Sequence, residues 1–173
     1  NDALTQNSPG GLVCKQRILN YGETCRLLEK LRIIKYKKDN NGIHWKQYGY
    51  YYDNELEMVK LKRKIPRTLA DYGKGVISRM GLKMRFNHVQ VRVYSGTQKI
   101  TPKVDDVDMG EETLVLVIGD MCPFVLTNLK NAKNVYETKL YNGSCMHMTG
   151  DSRYLWAYST IPMLGTRWII TFR

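Results

Sequence analysis

Two stretches of the chain place apolar residues at helical spacing, and the remainder alternates in short runs. Leu27, Leu28 and Leu31 recur three or four residues apart within Glu23 to Arg32, which predicts a short amphipathic helix. Pro66 is placed to open a second helix, where a missing N–H is harmless. Leu69, Tyr72, Val76, Ile77 and Met80 mark its buried stripe, Gly81 its stop, and Gly73 and Gly75 weaken its middle. From Lys83 onward the period becomes two. Between Asn87 and Tyr94, Val89, Val91 and Val93 fall on one face and His88, Gln90, Arg92 and Tyr94 on the other. Thr113 to Ile118 is apolar nearly throughout, which predicts a strand buried on both faces. Phe124 to Thr127, Glu137 to Leu140, Ser144 to Met148 and Trp168 to Phe172 read as further strands between Gly, Asn and Pro turns. The expectation is a mainly β sandwich or jelly roll led by N-terminal helices.

Composition narrows this. A chain of 173 residues, 43% hydrophobic, suits one domain with a substantial core. A net charge of +11 favours polyanionic partners such as RNA, DNA or an anionic membrane surface, against the plainer reading of a solvated basic surface. The charge is clustered. Lys35, Lys37 and Lys38 form one run; Lys60, Lys62, Arg63 and Lys64, with Arg67 behind them, form another. Between them lies the aromatic stretch from Trp45 through Tyr48 and Tyr50 to Tyr52, which can be hairpin core or a stacking surface for bases. No motif for sequence-specific readout is present. Cys14, Cys25, Cys122 and Cys145 have no zinc-ligand spacing and read as reduced thiols of an intracellular, cytoplasmic protein. No apolar run is long enough to span a membrane. The start, Asn1 to Gly11, is polar and expected to be flexible, and the lack of an initiating Met reads as a piece excised from a longer protein.

Three segments carry a more specific signal. The first is Phe86-Asn87, Tyr94 and Ile100-Thr101-Pro102-Lys103-Val104-Asp105-Asp106. The second is Asn142-Gly143-Ser144, Met148-Thr149-Gly150, Trp156-Ala157-Tyr158-Ser159 and Ile161-Pro162. The third is Arg167-Trp168-Ile169-Ile170-Thr171-Phe172-Arg173, an R-x-x-x-T-F-R. In this order and spacing they resemble the AlkB family of iron(II) and 2-oxoglutarate dioxygenases, over about residues 48–173. The resemblance implies a double-stranded β-helix at 66–173, with 1–65 as an N-terminal extension and aromatic, basic lid within a single domain. It implies that Tyr94, Arg167 and Arg173 clamp 2-oxoglutarate, and that nucleic acid is held under the lid by Trp45, Tyr48, Tyr50, Lys60, Lys62, Arg63, Lys64 and Arg67.

The departures decide the functional expectation. Such enzymes hold Fe(II) by two His and one carboxylate. Where the family has H-x-D, this chain has Lys103-Val104-Asp105; where the family has W-x-H, it has Trp156-Ala157-Tyr158. A lysine ammonium has no lone pair to donate, and its ordinary pKa of about 10.4 would have to fall several units first. A neutral phenol is a poor iron ligand. His44, His88 and His147 match neither ligand position. No metal and no catalytic residue are therefore expected, and Lys103 is expected to replace the cation by pairing with Asp105. Arg92 stands where the family usually has Asn. The leading expectation is a catalytically inactive AlkB-like domain, of the kind found in viral replication polyproteins, that binds nucleic acid, RNA above all, or docks other proteins of a larger complex. The alternatives are an active dealkylating dioxygenase, with Fe(II) and 2-oxoglutarate on an atypical site built from Asp105 and Tyr158, and a purely structural scaffold.

Overall fold

The apolar run at Thr113 to Ile118 organises the molecule. In a computed structural model describing residues 7–53, 55–56 and 58–173, it forms strand β6, Thr113–Gly119. Its alternate residues serve two cores. Leu114, Leu116 and Ile118 face a layer of helices, while Val115 and Val117 face a second sheet. The strand reads as uninterrupted apolar sequence because both faces exclude water. The polar start expected for Asn1 to Gly11 lies, up to residue 6, outside the described residues.

The other strands are β1 (Leu12–Lys15), β2 (Lys37–Lys38), β3 (His44–Asp53), β4 (Met58–Arg63), β5 (His88–Ser95), β7 (Cys122–Asn128), β8 (Val135–Leu140), β9 (Ser144–Met148), β10 (Trp156–Thr160) and β11 (Thr166–Phe172). The large sheet runs β1-β9-β6-β11-β5-β3-β2, with β4 hanging on β3; the small one runs β10-β7-β8. Every pairing is antiparallel. Two facing antiparallel sheets make the jelly roll expected from the sequence, with Phe124, Leu126, Met146 and Ile169 filling the space between them. Strands β1, β2 and β3 lie before residue 66 and still belong to the large sheet, so the boundary drawn at 65 leaves no break in it.

Helices α1 (Tyr21–Arg32) and α2 (Arg67–Arg79) cover the outer face of the large sheet. Asn20 starts α1 through a capping box: its Oδ1 accepts from the Glu23 amide at 2.9 Å, and Glu23 Oε1 accepts from the Asn20 amide at 3.1 Å. Leu27 and Leu31 are fully buried, each contributing about 1.5–3 kcal/mol. Pro66 precedes the first helical residue of α2 as its N-cap rather than occupying that residue. Gly73, read from sequence as a weak point, is a packing requirement: a Cβ there would lie 2.5 Å from the Phe172 ring. A third helix, α3 (Gly150–Tyr154), and the strands β1, β4 and β10 escaped the sequence pattern.

Candidate functional site

Strand β5 supplies one wall of the site. His88, Gln90, Arg92 and Tyr94 point between the sheets, as the alternation predicts. The opposite wall is β10, which joins the segment after β5 through an isolated bridge. Lys103 N–H donates to Tyr158 O at 3.1 Å, and Tyr158 N–H donates to Lys103 O at 2.9 Å. That bridge sets side by side the two residues standing where the AlkB resemblance implies histidines. Lys103 Nζ lies 5.5 Å over the Tyr158 ring.

Asp105 is at the centre, but its partner is not the expected one. The Lys103–Asp105 ion pair is not formed. Arg173 instead grips the carboxylate with both prongs, Nε to Oδ2 at 2.7 Å and an Nη to Oδ1 at 2.9 Å. Tyr158 O–H donates to Oδ1 at 2.7 Å, and Thr113 O–H reaches Oδ2 at 3.3 Å. The reason is geometric. A planar guanidinium following β11 matches two carboxylate oxygens, whereas the bridge aims the Lys103 amine over a ring. Burial alone would raise the Asp105 carboxyl, but the Arg173 charge and the donated bonds outweigh it and hold it down at about 2. Burial and the adjacent carboxylate push the Tyr158 phenol far above its ordinary range. Burial lowers Lys103 to about 8; Asp105 opposes that shift, and Arg92 and Arg173 add to it.

The loop carrying Asp105 is fixed by Arg153, which sequence reasoning missed. This buried guanidinium donates to Asp105 O at 2.8 Å, Asp106 O at 2.6 Å and Gly110 O at 2.9 Å. The capping box Thr149-x-x-Ser152 that begins its helix was the legible signal. His88 was also missed. It is buried, its Nδ1 has no hydrogen-bond partner among the described residues, and burial lowers it to about 4, so it is neutral at pH 7.

The donor set does not fit Fe(II). Both Asp105 oxygens are already neutralised by Arg173, Tyr158 is a protonated phenol and Lys103 is a cation. Among the described residues, no cluster of three or more His, Cys, Asp or Glu forms a cage. The co-substrate side does not fit either. Arg167 donates to three backbone carbonyls, of Met121, Met163 and Leu164, and holds the β10–β11 loop. Arg173 is engaged by Asp105. Tyr94 lines an inner chamber of about 10 Å³, room for one water, where ligand pockets measure about 300–1,000 Å³.

Outside that chamber the site opens. A cleft of about 390 Å³ is lined by Gln47, Tyr51, Tyr52, Arg92, Lys103 and Asp105, among others. A neighbouring hollow of about 350 Å³ adds Tyr50 and Arg85. Over the cleft stands the β3–β4 hairpin. Lys62 Nζ lies 5.3 Å over both the Trp45 and Tyr51 rings, and Lys37 Nζ lies 5.8 Å over Trp45. Lys60 pairs with Asp53 at 3.1 Å, Arg63 and Lys64 are exposed, and Arg67 stands on α2, 3.8 Å from Asp71. Tyr50 is 46% exposed. Tyr48 is not available to a ligand: it pairs with Val89, faces the helices and is 8% exposed. The bulge at Gly49 separates it from Tyr50. Gly49 takes φ +82°, and a Cβ there would strike Asn87 O.

A family model described as the 2OG-Fe(II) oxygenase superfamily matches residues 12–173, a longer span than the motifs alone suggested. The solved structure of OsALKBH1 aligns with a TM-score of 0.70 at 16% identity, over 96% of this chain and 97% of that one. An oxidoreductase of the 2OG-Fe(II) oxygenase family from Burkholderia pseudomallei aligns at 0.67 with 10% identity, over 94% and 84%. No curated protein matches the chain. At these identities, what the two structures share with this chain is the fold.

Proposed function

Since the chain belongs to the 2OG-Fe(II) oxygenase superfamily, we propose that it is an AlkB-like, catalytically inactive relative that binds nucleic acid, RNA above all. The observation that carries the binding half is the crowding of cations on β2 and the β3–β4 hairpin. Burial, then Lys37 and Arg63, lower Lys62; burial, then Arg63, Lys37 and Lys62, lower Lys46. Burial is the larger cause, but Lys37, Lys62 and Arg63 also stand close enough for their charges to act on one another, and a polyanion neutralises such a group. Trp45 and Tyr51 hold two of them in a row leading to the cleft.

The inactive half follows from the donor set. In an active relative, iron bound by two imidazoles and a carboxylate supplies oxidising chemistry. Here the chain's own residues only bind and orient. Arg173 and Tyr158 fix Asp105, and Arg153 fixes the loop beneath it. The four cysteines are free thiols, in keeping with a reducing compartment such as the cytoplasm. Among the described residues no helix is long and apolar enough to cross a membrane.

Fluorescence anisotropy with a labelled single-stranded RNA tests the binding. Affinity should fall steeply between about 50 and 200 mM salt, with a log–log slope near −0.7 per phosphate neutralised. Lys37→Ala and Lys62→Ala should each make that slope shallower. A flat response, or no binding, overturns the nucleic-acid reading and turns attention to protein partners. An anaerobic titration with Fe(II) and 2-oxoglutarate tests the inactivity: the visible charge-transfer band of the chelate should not develop, and its appearance overturns that half.

A further inference from the structure

At the neck between the inner chamber and the open cleft stand two cations, Arg92 and Lys103, which line both spaces. Among the described residues, neither has a counter-charge within hydrogen-bonding distance. Lys103 contacts the Tyr158 ring, and the carboxylate two residues on is taken by Arg173. Arg92 reaches Asp39 only at 3.7 Å, beyond hydrogen-bonding distance, and its buried Nε has no hydrogen-bond partner among the described residues. A buried guanidinium nitrogen left without an acceptor loses a charge-assisted bond, commonly about 1.5–3 kcal/mol. From this geometry we infer that Arg92 and Lys103 form a blind-ended site for a terminal phosphate monoester, with the group it carries lying in the cleft against Tyr51 and Tyr52.

The shape selects the ligand. The chamber beyond the neck has about 10 Å³, so nothing passes through. A phosphodiester inside a strand needs an exit on both sides and cannot end there, whereas a terminal phosphate can. A dianion also matches two cations better than a carboxylate does. The cleft in front, about 390 Å³ with two tyrosines on its wall, has room for a ring or sugar attached to that phosphate. The resemblance places a histidine and an asparagine at these two positions, so this pair of cations belongs to the present chain. The inference rests on the site having no bound iron.

Calorimetric titration of the full chain with adenosine 5′-monophosphate, adenosine and inorganic phosphate tests it. The monophosphate should bind and adenosine should not. Arg92→Gln and Lys103→Met should each weaken the monophosphate by about tenfold or more. Lys130→Ala, which removes an exposed charge on the β7–β8 loop, should leave it unchanged. Equal binding of adenosine and its monophosphate, no binding of the monophosphate, or full affinity in both site variants overturns the inference. The source is separated by comparing 5′-phosphorylated with 5′-hydroxyl RNA of one sequence. A clear preference for the phosphorylated strand assigns the site to strand ends; equal binding of the two strands beside tight monophosphate binding assigns it to free nucleotides. An iron–2-oxoglutarate band would instead overturn the inactive reading, so the two failures are distinguishable.

Discussion

Replacing Lys103 by Met removes a charge and keeps the shape of the side chain. If Lys103 neutralised Asp105, the loss would leave a buried carboxylate unpaired and cost about 3–5 kcal/mol. The structure assigns that task to Arg173, which leaves Lys103 a surplus, half-buried cation. Its shift from 10.5 to about 8 corresponds to about 3 kcal/mol of unfavourable charge burial. The cation–π contact with Tyr158 returns about 1 kcal/mol of that. Lys103→Met should therefore stabilise the fold by about 2 kcal/mol at pH 7, or about 4–8 °C in Tm for a chain this long. The pH dependence carries the sign. Between 8 and 10.5 the unfolded lysine holds a proton that the folded one has released, so parent stability rises with pH through that window. The advantage of the variant is then full below pH 8 and fades by about 10.5. Urea unfolding followed by circular dichroism at a series of pH values measures it. A variant less stable than the parent at neutral pH would refute the assignment of Arg173 as the counter-charge.

Arg173→Gln should lose about 3–5 kcal/mol in the same assay, and adding Asp105→Asn should restore part of it, because the second change removes the orphaned charge. Asp105 is held at about 2 against an ordinary 3.8, so the stability it lends is present above 3.8 and disappears as pH falls toward 2. His88 sits at about 4 against 6.5, so stability should already decline from pH 6.5 downward, and His88→Gln should flatten that upper part of the acid curve. Gly75→Ala, with open space at its Cβ, should gain up to about 1 kcal/mol, whereas Gly73→Ala should lose about 1–3 kcal/mol against Phe172; thermal unfolding of the pair separates helix propensity from packing. Tyr48→Ala should lower stability while Tyr50→Ala leaves it nearly unchanged, since one is core and the other is exposed.

Much of the fold was legible because its signals are periodic. Alternation placed β5, an unbroken apolar run placed β6 between two cores, and helical spacing placed α1 and α2. Three of the elements that escaped are too short for a period to register, four residues in β1, five in α3 and five in β10, and in β4 the alternation was read only as a basic run. Their positions are set by partners far along the chain, as when Leu12 pairs with Met148. The candidate site was legible at the level of residue identity. Lys103, Asp105, Tyr158 and Arg173 stand out as departures from, or matches to, a motif. Which of them touch was not legible, because pairing between residues 105 and 173 depends on where two sheets bring their ends together.

That pairing explains how such a site can stand without a metal. A buried carboxylate facing two imidazoles is held by the charge of the cation it ligates, and removing the cation would leave it unbalanced. Changing one histidine to lysine restores the charge only where the amine can reach, and the Lys103–Tyr158 bridge turns this amine away. The balance comes instead from Arg173, locked in place as its carbonyl accepts from the Asn87 and His88 amides at 2.9 and 3.1 Å. With Arg173 turned inward onto Asp105 and Arg167 turned onto the β10–β11 loop, both arginines of the terminal motif support structure. Residues that match a motif thus remain in sequence while their charges serve the fold. Arg92, which approaches Asp39 only at 3.7 Å, and Lys103, held over the Tyr158 ring, are the cations that the motif does not contain, and they are where a ligand particular to this chain would be recognised.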